Sequence, residues 1–367
     1  MIYLDYQATT PVAPEALAAM LPWLETNFAN PHAAHAPGRA AHAAIDVARD
    51  QVAALLPPGG TLAFTSGATE SLNWALKGTR PPGRSDVVTV ATEHAAVLDT
   101  VEALARDGRH VTVLPVNREG LVDLEAAREA VGPGTGLVAA MLVNNEIGVI
   151  QPVEQLAEIA HAAGARFLCD AVQGFGRVPI PGNVDFVAIS GHKIHGPKGV
   201  GALWIREGAT LRTLLHGGGQ EAPGRSGTLS PALCAGFGVA AKLAAERGEA
   251  DRAHVDKLFG MAVQRLGPDW TVNGSREARY RGNLNVRREG LDVARLMSDL
   301  RDIAFSAGSA CASGSGRPSH VLRALGLSDA EARSSIRLGF GRYTTEEELM
   351  TALDRIDAAA RGQRVAA

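Results

Sequence analysis

The stretch Val184-Asp185-Phe186-Val187-Ala188-Ile189-Ser190-Gly191-His192-Lys193-Ile194-His195-Gly196-Pro197-Lys198-Gly199 sets the reading of the whole chain. Its first part is a largely apolar run of strand length, as found in strands covered on both faces. A loop rich in Gly and His follows, and it carries Lys193 and Lys198. The chain has five lysines (77, 193, 198, 242 and 257) against thirty-one arginines. Arg can replace Lys as a surface charge but not as an amine nucleophile, because guanidinium does not deprotonate. Lys193 is therefore a candidate Schiff-base former at the end of a buried strand. Lys198, in Gly-Pro-Lys-Gly, reads as a solvated turn residue.

Outward from this stretch, six more apolar runs precede or follow it: Thr61–Thr65, Asp86–Ala91, His110–Pro115, Leu137–Val143, Arg166–Asp170 and Val200–Ile205. Most alternate with helical patterns at Glu93–Arg106, Leu121–Ala130 and Val153–Ala163. Such alternation predicts an α/β fold, a mainly parallel seven-stranded sheet with helices on both faces. The last two runs are joined without a helix, so one strand is expected to be antiparallel. Pro231–Arg247 and Arg252–Leu266 read as two long helices leaving the sheet. Shorter pieces follow: strands at Arg281–Val286 and Ile336–Gly339, helices at Val293–Arg301 and Thr345–Ala360. The predicted division is a large domain over residues 16–250 and a smaller α+β domain made of residues 1–15 and 251–367.

Composition narrows the functional classes. The 367 residues are 46% hydrophobic and 20% charged, as in a globular protein, and the net charge of −3 offers no general attraction to nucleic acid or an anionic membrane. No apolar run reaches the ~20 residues of a membrane-crossing helix. The start, Met1-Ile2-Tyr3-Leu4-Asp5, lacks the basic and apolar regions of a signal peptide. Three cysteines (169, 234 and 311) without a CxxC pair argue against a disulfide scaffold and for a reducing cytoplasm. His32, His35 and His42 lack Cys or carboxylates at ligand spacing, so no metal site is expected.

Ligands of an open parallel sheet sit at the carboxyl ends of its strands, and polar residues collect there. Ser66-Gly67-Ala68-Thr69-Glu70-Ser71 ends one strand and opens a helix, leaving backbone N–H groups for an anion or for a cap at Thr69. Glu93-His94 ends the next. Asn144-Asn145-Glu146 ends a third. Asp170 closes a fourth, with Gln173 three residues on, and a carboxylate there needs a partner against its desolvation. A protonated ring nitrogen is one such partner; a helix cap is the other reading. An anion site, a stacking His, a carboxylate, amides and an amine on one surface are what pyridoxal phosphate needs. Farther on, Ser306-Ala307-Gly308-Ser309-Ala310-Cys311-Ala312-Ser313-Gly314-Ser315-Gly316 places a thiol among small residues. Cys169 and Cys234 read as core residues; Cys311 reads as an exposed, mobile nucleophile.

In this order the motifs resemble those of the cysteine desulfurases of the class V aminotransferase fold. The matching segments are Tyr3–Pro11, Thr65–Ser71, Val143–Gly148, Asp170–Gln173, Ser190–Lys193, Arg225-Ser226-Gly227-Thr228, Gly308–Cys311 and Ser335-Ile336-Arg337. The short span from Cys311 to Pro318-Ser319-His320 resembles the housekeeping and nitrogen-fixation branch. The resemblance implies a pyridoxal-phosphate-dependent transferase fold of type I, like that of aspartate aminotransferase. It also implies a homodimer and the conversion of L-cysteine to L-alanine and an enzyme persulfide. Lys193 would bind the cofactor and move protons. His94 would stack on its ring, Asp170 would pair with the ring nitrogen, and Gln173 and Asn145 would bond near the phenolate oxygen. Ala68, Thr69, Ser190 and His192 would hold the phosphate, with Thr228 from the second subunit. Arg337 would clamp the substrate carboxylate, with Arg225 and Asn145 as further substrate contacts. Cys311 would take the sulfur and pass it to an acceptor, an iron–sulfur scaffold or a tRNA-thiolation carrier. The competing reading is a selenocysteine lyase, or another class V lyase or aminotransferase; an aminotransferase has no need of Cys311.

Overall fold

The computed structural model describes residues 1–222, 224–308 and 318–364. The first half of the chain runs β1 (Ile2–Tyr3), α1 (Pro14–Glu25), α2 (Ala36–Ala53), β2 (Gly60–Thr65), α3 (Ala68–Gly78), β3 (Asp86–Val90), α4 (Ala95–Arg106), β4 (Val111–Leu114), α5 (Leu124–Ala130), β5 (Thr135–Met141), α6 (Val153–Ala162), β6 (Arg166–Asp170), β7 (Phe186–Ser190) and β8 (Gly201–Arg206). The second half runs α7 (Pro231–Leu266), β9 (Thr271–Val272), β10 (Asn283–Arg287), α8 (Val293–Asp299), β11 (Ile303–Ala304), β12 (Ser306–Ala307), α9 (His320–Ala324), α10 (Asp329–Arg333), β13 (Ser335–Gly339) and α11 (Glu346–Arg364).

The seven runs read from the sequence form one seven-stranded sheet in the order β2-β8-β7-β6-β5-β3-β4. Every strand in it is parallel except β8, which pairs antiparallel with both β2 and β7. β8 follows β7 through a turn, so the chain has no room for a crossover helix and must return in the opposite direction. Successive residues of one strand serve opposite cores. Phe186 and Ala188 of β7 face an apolar cluster with Leu72 and Trp74 of α3 and Val97 and Val101 of α4. Val187 and Ile189 face the other cluster, with Ile45 of α2, Leu156 of α6 and Phe237 of α7. Fully burying each such large apolar side chain contributes about 1.5–3 kcal/mol. With both faces covered, β5 and β7 are buried at every position.

A smaller antiparallel sheet, β12-β13-β10-β9, and the parallel pair β1-β11 enclose a third cluster with α8 and α11. The two helices expected over 231–266 are one helix, α7, of 36 residues. Its first half packs Phe237, Ala240 and Ala241 in the first core, and its second half packs Val255, Leu258 and Ala262 in the third. Anchorage at both ends offsets the roughly 1 kcal/mol that Gly248 costs inside a helix. No helix among the described residues is long and apolar enough to cross a membrane.

Candidate active site

The carboxyl ends of the parallel strands open onto a cavity of about 510 Å3, a volume suited to a small organic ligand. Ala68, Thr69, His94, Asn145, Asp170, Gln173, Ser190, His192, Lys193 and Arg337 all line it. Five of the six segments that supply these residues come from the seven-stranded sheet and the turns after its strands, and Arg337 is brought to them by β13 of the smaller sheet.

Lys193 ends the 3-10 turn Gly191–Lys193 that follows β7. Its side chain is held from the N-terminal segment, with Nζ donating to the carbonyl oxygens of Gln7 (2.5 Å) and Ala8 (2.9 Å). Thr10 fastens the same turn, its N–H and hydroxyl both reaching the carbonyl of His192. Two residues on, His195 takes a positive φ of 70°, which is costly for a side chain with a Cβ. The Thr10 hydroxyl, accepting from the His195 N–H at 2.8 Å, and the Tyr343 ring, 4.9 Å from the imidazole, hold it there. Burial, with Arg337 and Arg177 nearby, lowers the Lys193 amine to about 8. A lysine in that range reaches its neutral, nucleophilic form near physiological pH.

Asp170, at the end of β6, is 6% exposed. Its Oδ1 accepts from the Val172 N–H at 3.0 Å, and no Lys or Arg ion pair reaches it among the described residues. Burial raises its carboxyl, against the lowering effect of that N–H and of His94 and Lys193. Such a carboxylate gains most from a cation placed on it inside the cavity. His94 caps α4, its Nδ1 accepting from the Ala96 N–H at 3.0 Å, and burial pushes its imidazole below the usual range. Gln173 donates to the carbonyl of Gln7 at 2.9 Å and accepts from Arg177 at 3.1 Å.

Helix α3 begins at the cavity wall with no side chain capping it among the described residues; Gly67, the residue before it, has a φ of 157°. The uncapped N–H groups of Ala68 and Thr69 lie on the same cavity as Ser190 and His192, an arrangement suited to an anion. Burial, next to Lys193 and Lys198, lowers His192 to about 4, so its imidazole is neutral. A buried carboxylate for a ring nitrogen, an uncapped helix start for a phosphate and an amine held between them fit pyridoxal phosphate.

Arg337, on β13, is 1% exposed. Its Nη1 donates to the carbonyl of Asn145 (3.0 Å) and its Nη2 to Asp5 (2.8 Å) and Ser306 (3.2 Å), while Nε is buried with no partner among the described residues. Asn144 is structural: its Oδ1 accepts from the Glu146 and Ile147 N–H groups and its Nδ2 donates to Thr92. Two expected contacts do not line this cavity. Arg225 is drawn away by Glu70, which it meets at 2.8 Å. Thr228 is exposed on the loop before α7.

Cys311 lies outside the described residues. The flanks of its segment are fixed beside the site. Gly308 accepts from Asn285 at 3.4 Å, Ser319 donates to Glu146 at 2.5 Å, and His320 meets the carbonyl of Glu93 at 2.9 Å. The sequence reading placed Glu93 at a strand end but gave it no role; it is fully buried beside Asp170. The same reading missed Arg177, which reaches the carbonyl of Lys193. Asp5 and Gln7 stood within a matching segment, but no side-chain pattern signalled their roles.

The aminotransferase class-V family matches residues 2–351. Cysteine desulfurase IscS of Rickettsia akari (strain Hartford) is 43% identical over 368 residues, covering 97% of this chain and 90% of its own length. A solved structure titled NIFS-LIKE PROTEIN superposes with a TM-score of 0.90 at 34% identity, covering 97% of this chain and 98% of that one. A structure titled SspA in complex with cysteine superposes with a TM-score of 0.82 at 36% identity, covering 94% and 100%.

Proposed function

The chain belongs to the aminotransferase class-V family and is a cysteine desulfurase of it, and we propose that it takes the sulfur of L-cysteine onto Cys311 and releases L-alanine. The observation that carries this reading is the single cavity shared by Lys193, Asp170, His94 and Arg337. Pyridoxal phosphate is the proposed cofactor. Ala68, Thr69, Ser190 and His192 would hold its phosphate, with Thr228 reaching the partner subunit's site in a homodimer. Asp170 would hold the ring nitrogen, Gln173 and Asn145 the phenolate side, His94 the ring face, and Lys193 the covalent link. When bound, the cofactor supplies a protonated ring that withdraws electrons from the substrate's α-carbon.

Arg337 binds the substrate carboxylate through the guanidinium N–H groups that Asn145, Asp5 and Ser306 leave unused. The Lys193 amine removes the α-proton and later returns a proton to carbon. The Cys311 thiolate attacks the substrate sulfur, so a sulfur–sulfur bond forms as the carbon–sulfur bond breaks. The persulfide then passes to an acceptor, an iron–sulfur scaffold or a tRNA-thiolation carrier, in the cytoplasm. Residues 16–250 act as the cofactor domain, and residues 1–15 with 251–367 as the domain carrying the Cys311 segment; the separate apolar core around α8 and α11 supports that division.

The test is alanine and sulfide yield from L-cysteine with reductant. Cys311→Ala is expected to keep the yellow colour of the bound cofactor and to lose turnover. Unchanged sulfide release would refute the persulfide step. L-selenocysteine run in parallel separates a desulfurase from a selenocysteine lyase.

A further inference from the structure

A second cavity, of about 390 Å3, is lined by Ile194 and His195, the two residues that follow Lys193. The middle of α7 and the segments at 176–179, 277–281 and 341–342 complete its wall. Five guanidinium groups line it (Arg177, Arg252, Arg279, Arg281 and Arg342) against three carboxylates (Asp251, Asp256 and Glu277). Asp251 is taken by Arg342 at 2.6 Å and Asp256 by Arg281 at 3.7 Å. Glu277 and Arg252 are exposed.

Arg177 and Arg279 have no carboxylate partner among the described residues. Arg177 donates to Gln173 and to the carbonyl of Lys193, with its guanidinium 5.1 Å from the Tyr280 ring. Arg279 is 5% exposed; its two terminal nitrogens donate to the carbonyls of Ser275, Ile147 and Asn283, and its Nε is buried without an acceptor. Arg342 Nη1 is likewise buried without an acceptor. Three carbonyls and the Phe259 ring, 5.1 Å from the guanidinium, offset part of the desolvation of Arg279, and no carboxylate among the described residues offsets the rest. Burial, with Arg276 and Arg281 close by, lowers Arg279 to about 10, as expected of a cation lacking its anion.

We propose that this cavity binds a small organic oxyanion, phosphate- or carboxylate-bearing, between Arg177 and Arg279, and that Arg177 relays its occupancy to Lys193 and Gln173. Guanidinium forks suit both oxyanions, and the volume exceeds that of a bare inorganic ion. The Tyr280 face supplies an apolar wall. Binding stands independently of the proposed reaction; only the relay rests on it.

The test uses the cofactor-loaded full chain in a buffer free of phosphate, titrated calorimetrically with inorganic phosphate and, separately, with succinate. At least one probe is expected to bind with a dissociation constant of about 1 mM or tighter. Arg177→Gln and Arg279→Gln are each expected to weaken it at least about tenfold. Which probe binds separates phosphate from carboxylate sources. If Arg279→Gln fails to fold, Arg177→Gln decides alone. Saturating probe is also expected to shift the pH midpoint of the cofactor's visible absorbance in the wild type and not in Arg177→Gln. No binding of either probe, or equal binding by wild type and Arg177→Gln, overturns the site. Binding without a change in the midpoint overturns the relay alone.

Discussion

Asp5 holds the guanidinium of Arg337 at 2.8 Å, so the first strand region of the chain fixes the residue proposed to bind substrate. Asn145 and Ser306 take two more of its terminal N–H groups, leaving one Nη1–H and the Nε–H without a partner among the described residues. A group so braced cannot swing to meet substrate, and substrate must come to it. Arg337→Lys removes the fork and leaves a point charge. Losing one charge-assisted bond of about 1.5–3 kcal/mol is expected to raise KM for cysteine roughly 10- to 100-fold. Because the carboxylate is held equally before and during reaction, kcat is expected to change much less. Steady-state kinetics decide it, and a fall confined to kcat would count against the clamp.

The Lys193 amine predicts a pH profile for cofactor loading. Burial and the positive charges of Arg337 and Arg177 disfavour the ammonium form and bring the group to about 8. Below that pH the amine is protonated and inert; above it the neutral nucleophile predominates. The rate at which cofactor-free protein regains its colour is therefore expected to rise with pH and level off above about 8. A rise only near the ordinary lysine value of about 10.4 would contradict the buried setting. Lys193→Ala is expected to stay colourless throughout.

Glu93 is buried where the neutral carboxylic acid is favoured over the carboxylate. Its Oε1 accepts from the Met141 N–H at 2.8 Å, on the strand whose Met141 lies opposite Asp170, and its Oε2 is buried without a partner. Burial, then the Asp170 charge, raises its carboxyl well above the usual range. The folded chain thus keeps a proton that the unfolded chain loses above about 4.3, so this group's contribution to stability falls as pH rises. Glu93→Gln mimics the neutral acid and is expected to equal or exceed wild-type stability at pH 7, by more than at pH 5. Glu93→Ala strands the Met141 N–H and is expected to cost about 1–3 kcal/mol. Denaturant midpoints at the two pH values measure both; a Gln variant weakened at pH 7 would show that Glu93 is ionised.

The sheet was legible because covering both faces forces continuous apolar runs, and no other arrangement needs seven of them. The strand-end polar residues were legible for the same reason: Asp170 and His94 stand out beside apolar runs, where a ligand or a backbone N–H must meet them. Backbone work was not. The carbonyls of Gln7 and Ala8, which hold Lys193, are invisible in side-chain identity. Nor could spacing tell that Arg225 meets Glu70, 155 positions away in sequence. Gly248 read as a helix break because nothing local showed that both halves of α7 are pinned to separate cores.

Gly201 tests whether the anion cradle depends on close backbone approach. A Cβ there would lie 2.6 Å from the Ile189 carbonyl oxygen and 2.8 Å from backbone atoms of Gly67, the residue before α3. None of these is the end of a flexible side chain, so β8 or the start of α3 must move. Gly201→Ala is expected to cost about 1–3 kcal/mol, as for overpacking elsewhere. Because the displaced segment carries the N–H groups of Ala68 and Thr69, the variant is also expected to lose cofactor on gel filtration where the wild type keeps it. Gly260→Ala, on an exposed turn of α7 with nothing within 4 Å of the new Cβ, is the control. It is expected to stabilise by about 0.5–1 kcal/mol with full cofactor retention. If Gly201→Ala retained cofactor as firmly as Gly260→Ala, α3 would not be holding the phosphate.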